Sequence, residues 1–361
     1  MISNKHYLDE TVFEAEKNYM LNNSWILAAH SNELQKKNDF VTINYLGKKI
    51  FIQNFGDTIK AFDNICLHRF YTIHAETHGN RLPICNYHLW SYDKNGLPAG
   101  IQNRKNFAEQ SLAGLALQQY EIALCGKFVF VKLNQAFNTP LPQYLGALYQ
   151  PLQEISQHFG DKIADYYLKH ECNWKLIAEN VLECYHCKSV HENSFAKMGF
   201  GFLPPTEEVY AGAHSYCNFP NKEGVFNFKV IDKTLKSRTL QFDGYKHFYI
   251  FPNAFITSVK GYGFYLGFLF PESSTITDLR VRNFTPGFQE PLSEGFKNIL
   301  EFMNDGQNSS LATVLKEDKS ITETIQKNLT VYENKSPLFG DEERRINQFY
   351  DFYNQAISPS Q

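Results

Sequence analysis

Cys66-Leu67-His68 and Cys85-Asn86-Tyr87-His88, with sixteen residues between them, decide how this chain is read. Each stretch offers one thiol and one imidazole close together in the chain. Two such pairs on two loops suit a [2Fe–2S] centre, with thiolates on one iron and imidazoles on the other. Neutral imidazoles in place of thiolates remove negative charge and raise the reduction potential, so the centre accepts electrons readily and passes them on. A structural zinc site also takes two Cys and two His, but usually as a Cys pair followed by a His pair. Here the two types are mixed within each pair, which favours iron and sulfide.

The surroundings of these pairs bound the rest. The chain has 361 residues, enough for two domains of ordinary size, and 43% hydrophobic residues supply a sizeable core. A net charge of −3 gives no electrostatic case for nucleic acid. No run of eighteen apolar residues occurs, so no membrane span is expected. The N-terminus, Met1-Ile2-Ser3-Asn4-Lys5-His6, lacks an apolar signal core, and the cytoplasm is the expected compartment. Seven cysteines in a chain this long do not suggest a disulfide framework. Cys125, Cys172 and Cys217 read as core residues, and Trp90 as a shield for the cluster. His74 and His78 read as surface residues, and His214 and His247 have no companion motif.

Residues 8–37 read as a helix from Leu8 to Met20, a short strand from Ser24 to Ala29 and a helix from Ser31 to Lys37. From Asp39 to about Lys132 the pattern is strand-rich, with Asn95-Gly96 and Cys125-Gly126 as hairpin signals. Asn138-Thr139-Pro140-Leu141-Pro142 reads as a linker. Beyond it, Tyr166 to Cys172, Phe248 to Val259, Tyr262 to Phe270 and Thr275 to Phe284 look like strands. Trp174 to Cys187, Pro291 to Asn304, Ser309 to Val331 and Asp341 to Ile357 look helical. The expected class is α+β: an all-β N-terminal cluster domain and a helix-flanked antiparallel-sheet catalytic domain. The division predicted is an N-terminal segment at 1–38 packing on the catalytic domain, the cluster domain at 39–138 and the catalytic domain at 139–361.

A second metal site is expected in the later domain. On a helix, Asn180, Glu183 and His186 share one face, and His191 follows after a turn. Two imidazoles and a distant carboxylate make the facial triad of non-haem Fe(II) oxygenases, which leaves the opposite face open. A His-x4-His pair alone is a weak signal. A cluster that delivers single electrons needs an acceptor, however, and iron is a fitting one. Cys184 and Cys187 flank His186 and read as small buried hydrophobes, and Tyr185 as packing.

The chain resembles the catalytic α subunits of Rieske non-haem iron oxygenases. Their cluster loops usually read Cys-x-His-Arg-Gly and Cys-Pro-Tyr-His-Gly-Trp. Here Arg69 and Trp90 match, while Phe70 and Leu89 stand where the family has Gly. The stretch Asn173-Trp174-Lys175 through Glu179-Asn180 and Glu183 to His186 and His191 matches the family pattern. The resemblance implies that His186 and His191 are iron ligands. It also implies an acid in the helix Glu317-Asp318-Lys319-Ser320, with Asp318 chosen and Glu317 the runner-up. It implies that Glu183 links an iron-ligand His of its own chain to a cluster-ligand His of a neighbouring copy, hence a ring, usually a homotrimer. Asn180 reads either as a polar positioning residue near the iron or as a buried helix Asn with local bonds.

The expected activity is that of the oxygenase component of a multi-component Rieske monooxygenase. No Gly-x-Gly-x-x-Gly and no second Cys cluster occur, so electrons from NAD(P)H must come through a separate flavin or iron–sulfur reductase. O2 and a small molecule are the substrates. Glu183 within Glu-Cys-Tyr-His-Cys resembles the oxygenases of carnitine, glycine betaine and related quaternary amines. Aromatic residues between Phe248 and Phe270 would suit such a cation. Hydroxylation next to nitrogen leads there to demethylation or C–N cleavage. The alternatives are ring hydroxylation or O-demethylation of an aromatic or aromatic acid, an electron carrier without oxygenase chemistry, and a structural zinc protein.

Overall fold

The computed structural model describes residues 2–332 and 335–357. Two compact units divide the chain: Leu21–Leu141, and the residues up to Met20 together with those from Pro142 onward.

In the smaller unit the strands are β1 (Trp25–His30), β2 (Asp39–Tyr45), β3 (Lys48–Asn54), β4 (Ile59–Asp63), β5 (His78–Asn80), β6 (Ser91–Tyr92), β7 (Pro98–Gly100), β8 (Gln119–Cys125) and β9 (Phe128–Lys132). Seven form an antiparallel sheet in the order β1-β9-β8-β4-β3-β2-β5, and β6-β7 make a separate hairpin. Leu46 and Gly47, both at positive φ, close the β2–β3 hairpin with two residues. The expected boundary at residue 38 falls inside this unit, because Trp25 to His30 pair with β9. The helix expected from Ser31 to Lys37 is only a single turn, Ser31–Glu33.

In the larger unit a second antiparallel sheet has the order β10-β16-β15-β14-β13-β12-β11. Its strands are β10 (Phe159–His170), β11 (Glu207–Ala211), β12 (His214–Phe219), β13 (Tyr245–Ile250), β14 (Ala254–Val259), β15 (Phe264–Ser273) and β16 (Ile276–Pro286). Phe248 to Val259 is two strands rather than one: Pro252 has no N–H for a ladder and sits in the turn between β13 and β14. The helices that matter are α1 (Glu10–Asn22), α2 (Trp174–Leu182), α3 (Glu294–Leu329) and α4 (Arg344–Ala356). The two helices expected on either side of residues 305–308 are one, since Gly306 weakens a helix without ending it.

A buried polar knot fixes α2. Asn173 caps it, its Oδ1 accepting from Lys175 N at 3.0 Å and its Nδ2 donating to the Ser274 carbonyl at 2.7 Å. Lys175 Nζ meets Glu16 Oε1 of α1 at 2.5 Å, both fully buried, and Trp174 Nε1 donates to the other oxygen at 2.7 Å. Lone charges here would be strongly destabilising, so the pair with its hydrogen bonds fixes where α1 and α2 meet.

Candidate active site

The two Cys-His loops have one backbone plan. Phe70 N donates to the Cys66 carbonyl at 2.8 Å, and Leu89 N to the Cys85 carbonyl at 2.9 Å. Each chain then returns: Cys66 N donates to the Tyr71 carbonyl and Cys85 N to the Trp90 carbonyl, both at 2.8 Å. Such a turn needs a left-handed residue at its fifth position, and Phe70 and Leu89 have φ of 60° and 58°. These are the positions where the family has Gly. A side chain there costs about 1–3 kcal/mol in backbone strain. The loops hold their course because both side chains point outward, 76% and 61% exposed.

The four donors of these loops fit an iron–sulfur group. Cys66 and Cys85 are free and buried. His68 and His88 have ring centroids 4.4 Å apart, and the Nδ1 atoms of both are buried without a hydrogen-bond partner. Buried nitrogens normally have partners, so two unpaired ones beside two thiols match a ligand set. Tyr92 Oη donates to Cys66 Sγ at 3.3 Å, and Trp90 stacks on the His68 ring at 4.7 Å. His74 is not a surface residue: it stacks on Phe40 at 3.8 Å, and burial pushes its pKa down to about 3. His78 is exposed, as expected.

In the larger unit His186, His191 and Asp318 converge, one ligand atom from each lying within 4.8 Å of the others. Asp318 Oδ1 is 3.1 Å from His191 Nε2 and 3.7 Å from His186 Nε2. The far edge of each ring is held by another acid. Glu317 Oε2 lies 2.7 Å from His191 Nδ1, and Glu183 Oε1 hydrogen-bonds His186 Nδ1. A carboxylate accepts, so the proton sits on Nδ1 and the Nε2 lone pair faces the cluster of ligand atoms. Asn180 Nδ2 lies 3.4 Å from Asp318 Oδ1.

The local backbone differs from the expected helix through Cys187. α2 stops at Leu182, and Glu183 is extended at φ −132° and ψ 167°. Its Oε2 instead accepts from the backbone amides of Tyr185 and His186. The carboxylate thus takes over two N–H groups that a continuing helix would have bonded. Cys184 and Cys187 form a disulfide around His186, a local staple that spacing did not suggest. Tyr185 is exposed rather than packed.

A cavity of about 130 Å³ opens beside these groups, lined among others by Phe195, Tyr245, His247, Phe255, Tyr265 and Val281. Engineered apolar cavities of about this size receive benzene-sized guests. No Lys or Arg is among the lining residues, and the acids in it are Glu183 and Asp318. His247 had no motif to mark it; its partners come from strands and a helix far away in the chain.

Comparison with known families matches both parts of the chain. The family of ring-hydroxylating alpha subunits (catalytic domain) matches residues 161–359, and the Rieske [2Fe–2S] domain matches residues 24–121. The chain therefore belongs to the ring-hydroxylating alpha-subunit family, joining a Rieske [2Fe–2S] domain to a non-haem iron catalytic domain, and is an oxidoreductase. It is similar to the carnitine monooxygenase oxygenase subunit of Escherichia coli (strain K12), at 26% identity over 90% of this chain and 83% of that one. The glycine betaine monooxygenase oxygenase subunit of Pseudomonas aeruginosa (strain UCBPP-PA14) is 27% identical over 51% of this chain and 43% of that one. In fold, a quaternary ammonium Rieske monooxygenase in complex with L-carnitine superposes with a TM-score of 0.77 at 20% identity, over 98% of this chain and 95% of that one. Naphthalene 1,2-dioxygenase with indole bound gives 0.77 at 19%, over 99% and 92%. Among the described residues no helix is long and apolar enough to cross a membrane.

Proposed function

We propose that this chain is the oxygenase component of a multi-component monooxygenase that hydroxylates a small quaternary amine. The observation that carries the reading is the convergence of His186, His191 and Asp318 in the lining of an aromatic-walled cavity. These three would hold the mononuclear iron, and Cys66, His68, Cys85 and His88 the cluster. When bound, the iron supplies oxygen activation beside the substrate and the cluster supplies single electrons.

The protein's own part is positioning. Glu183 and Glu317 fix the two imidazoles by their Nδ1 edges, and Asn180 steadies Asp318. The apolar wall keeps bulk water away from the reacting carbon. Phe195, Tyr245, Phe255 and Tyr265 line the cavity, and the faces of such rings attract a quaternary ammonium. Glu183 would also meet His88 of a neighbouring copy, which would make a head-to-tail ring, a trimer in the simplest case. Exposed Phe70, Tyr87 and Leu89 give the cluster tip an apolar surface for that neighbour to cover. Electrons would come from NAD(P)H through a separate reductase in the cytoplasm.

Oxygen uptake with a reductase, NADH and a panel of betaines and aromatic acids tests the reading. Stimulated uptake with release of an aldehyde from an amine supports it. Stimulation by aromatic acids alone transfers the site to ring hydroxylation or O-demethylation.

A further inference from the structure

One wall of the cavity ends in a buried cation. Cys217, His247 and Thr257 lie side by side in register across β12, β13 and β14. Arg345, reaching in from α4, is 3% exposed. Its Nε donates to Ser215 Oγ at 2.9 Å, one terminal nitrogen to Cys217 Sγ at 3.0 Å and the other to His247 Nδ1 at 3.0 Å. Among the described residues no carboxylate pairs with this guanidinium; Glu208, on the neighbouring strand, pairs with Arg344 at 3.0 Å.

The pairing fixes the chemistry of His247. A guanidinium has no acceptor, so His247 Nδ1 must present its lone pair and the ring proton must lie on Nε2. Burial, and then the nearby charge of Arg345, hold the imidazole well below its ordinary pKa, so it stays neutral. Among the described residues nothing accepts from Nε2, although the ring lines the cavity. The wall therefore carries a permanent N–H donor backed by a buried positive charge. The acids of the cavity, Glu183 and Asp318, are instead tied to the imidazoles of the metal site.

We propose that His247, locked by Arg345 as an Nε2–H donor, receives a carboxylate on the non-reacting end of the substrate. The substrate class is thus narrowed to small carboxylates: a betaine within the amine reading, with its ammonium on the aromatic wall. The inference rests on this cavity being the substrate site. His247 is a specificity-determining residue, and Arg345 acts through it as a positioning residue.

The test uses iron-loaded protein and two matched pairs, glycine betaine with choline and benzoate with benzyl alcohol. Dissociation constants are measured by calorimetry without O2. In the unaltered protein the carboxylate of at least one pair binds about tenfold tighter than its alcohol, the scale of one charge-assisted hydrogen bond. H247F abolishes that preference and leaves the alcohol's affinity within twofold, while H247Q, which keeps a donor, restores part of it. R345Q ends about where the Arg345 Nε lies, so it no longer reaches Nδ1 and also removes the charge; it releases the ring from its fixed tautomer and weakens only the carboxylate. In turnover the Michaelis constant rises and kcat holds within twofold, as for loss of uniform binding. Unchanged cluster absorption and iron content show that each variant is folded, and H247Q and R345Q carry the test where H247F fails this check. A preference seen only with benzoate keeps His247 in this role and removes the amine reading. A preference that survives H247F, or is absent from the unaltered protein, overturns the proposal.

Discussion

Glu317 and Asp318 are adjacent in the chain yet reach opposite edges of one ring, that of His191: Glu317 Oε2 stands 2.7 Å from Nδ1 and Asp318 Oδ1 3.1 Å from Nε2. A shift of α3 by one residue would put one acid in the other's place and a lysine, Lys316 or Lys319, in the place left behind. The two positions therefore have different expected phenotypes. Asp318→Ala should lose the mononuclear iron and all turnover while the cluster absorption stays intact. Glu317→Gln should keep turnover at saturating iron but bind iron roughly 10–100-fold more weakly, as for loss of a carboxylate behind a ligand His. Iron titration of both variants checks this. Equal behaviour would mean the assignment of the two acids is wrong.

Glu183 joins backbone and ring: it hydrogen-bonds the His186 imidazole and accepts from two amides. Glu183→Gln preserves the size of the side chain and removes its charge. Both metal centres should remain, and single-turnover reoxidation of the reduced cluster should slow by roughly tenfold or more. A normal reoxidation rate would remove Glu183 from the electron path.

Glu179 gives a pH signature separate from catalysis. Its carboxyl accepts from Tyr7 Oη at 2.6 Å and from Tyr350 Oη. Burial pushes its pKa from 4.5 up to about 7. Between these values the folded protein holds a proton that the unfolded chain has released, so stability falls as pH rises through the window and levels off above it. The loss is on the order of 3 kcal/mol. Glu179→Gln, which still accepts from both hydroxyls, should match the parent near pH 4.5 and exceed it at pH 8. Denaturant unfolding at the two pH values measures the difference; parallel curves would contradict it.

Phe70 and Leu89 separate strain from surface. Gly at either position relieves the left-handed backbone but gives the unfolded chain more freedom, so stability should hold or rise, by no more than about 2 kcal/mol. The exposed apolar tip is lost in the double variant. Sedimentation should then show weaker association of copies with an unchanged cluster spectrum. Unaltered association would place the neighbouring copy elsewhere.

The cluster loops were legible in the sequence because each ligand pair is local: spacing alone sets Cys66 beside His68 and Cys85 beside His88. His186 and His191 were legible for the same reason, but the helix thought to align Glu183 with them ends at Leu182. The contact persists because the Glu183 side chain itself terminates the helix, an effect that periodicity does not encode. Asp318 was legible only through family likeness, since 138 residues separate it from Asn180. The pairing of His247 with Arg345 spans 98 residues and carries no motif, so only the sheet register reveals it. The buried Glu16–Lys175 pair was hidden likewise, because burial of a charge depends on a partner far along the chain.

Metal content with visible absorption on the same sample tests the two-centre account most directly. The account predicts about three irons per chain with a reddish-brown spectrum, falling to about two in Asp318→Ala with the spectrum retained. A colourless protein containing zinc, or two irons in both proteins, would contradict it.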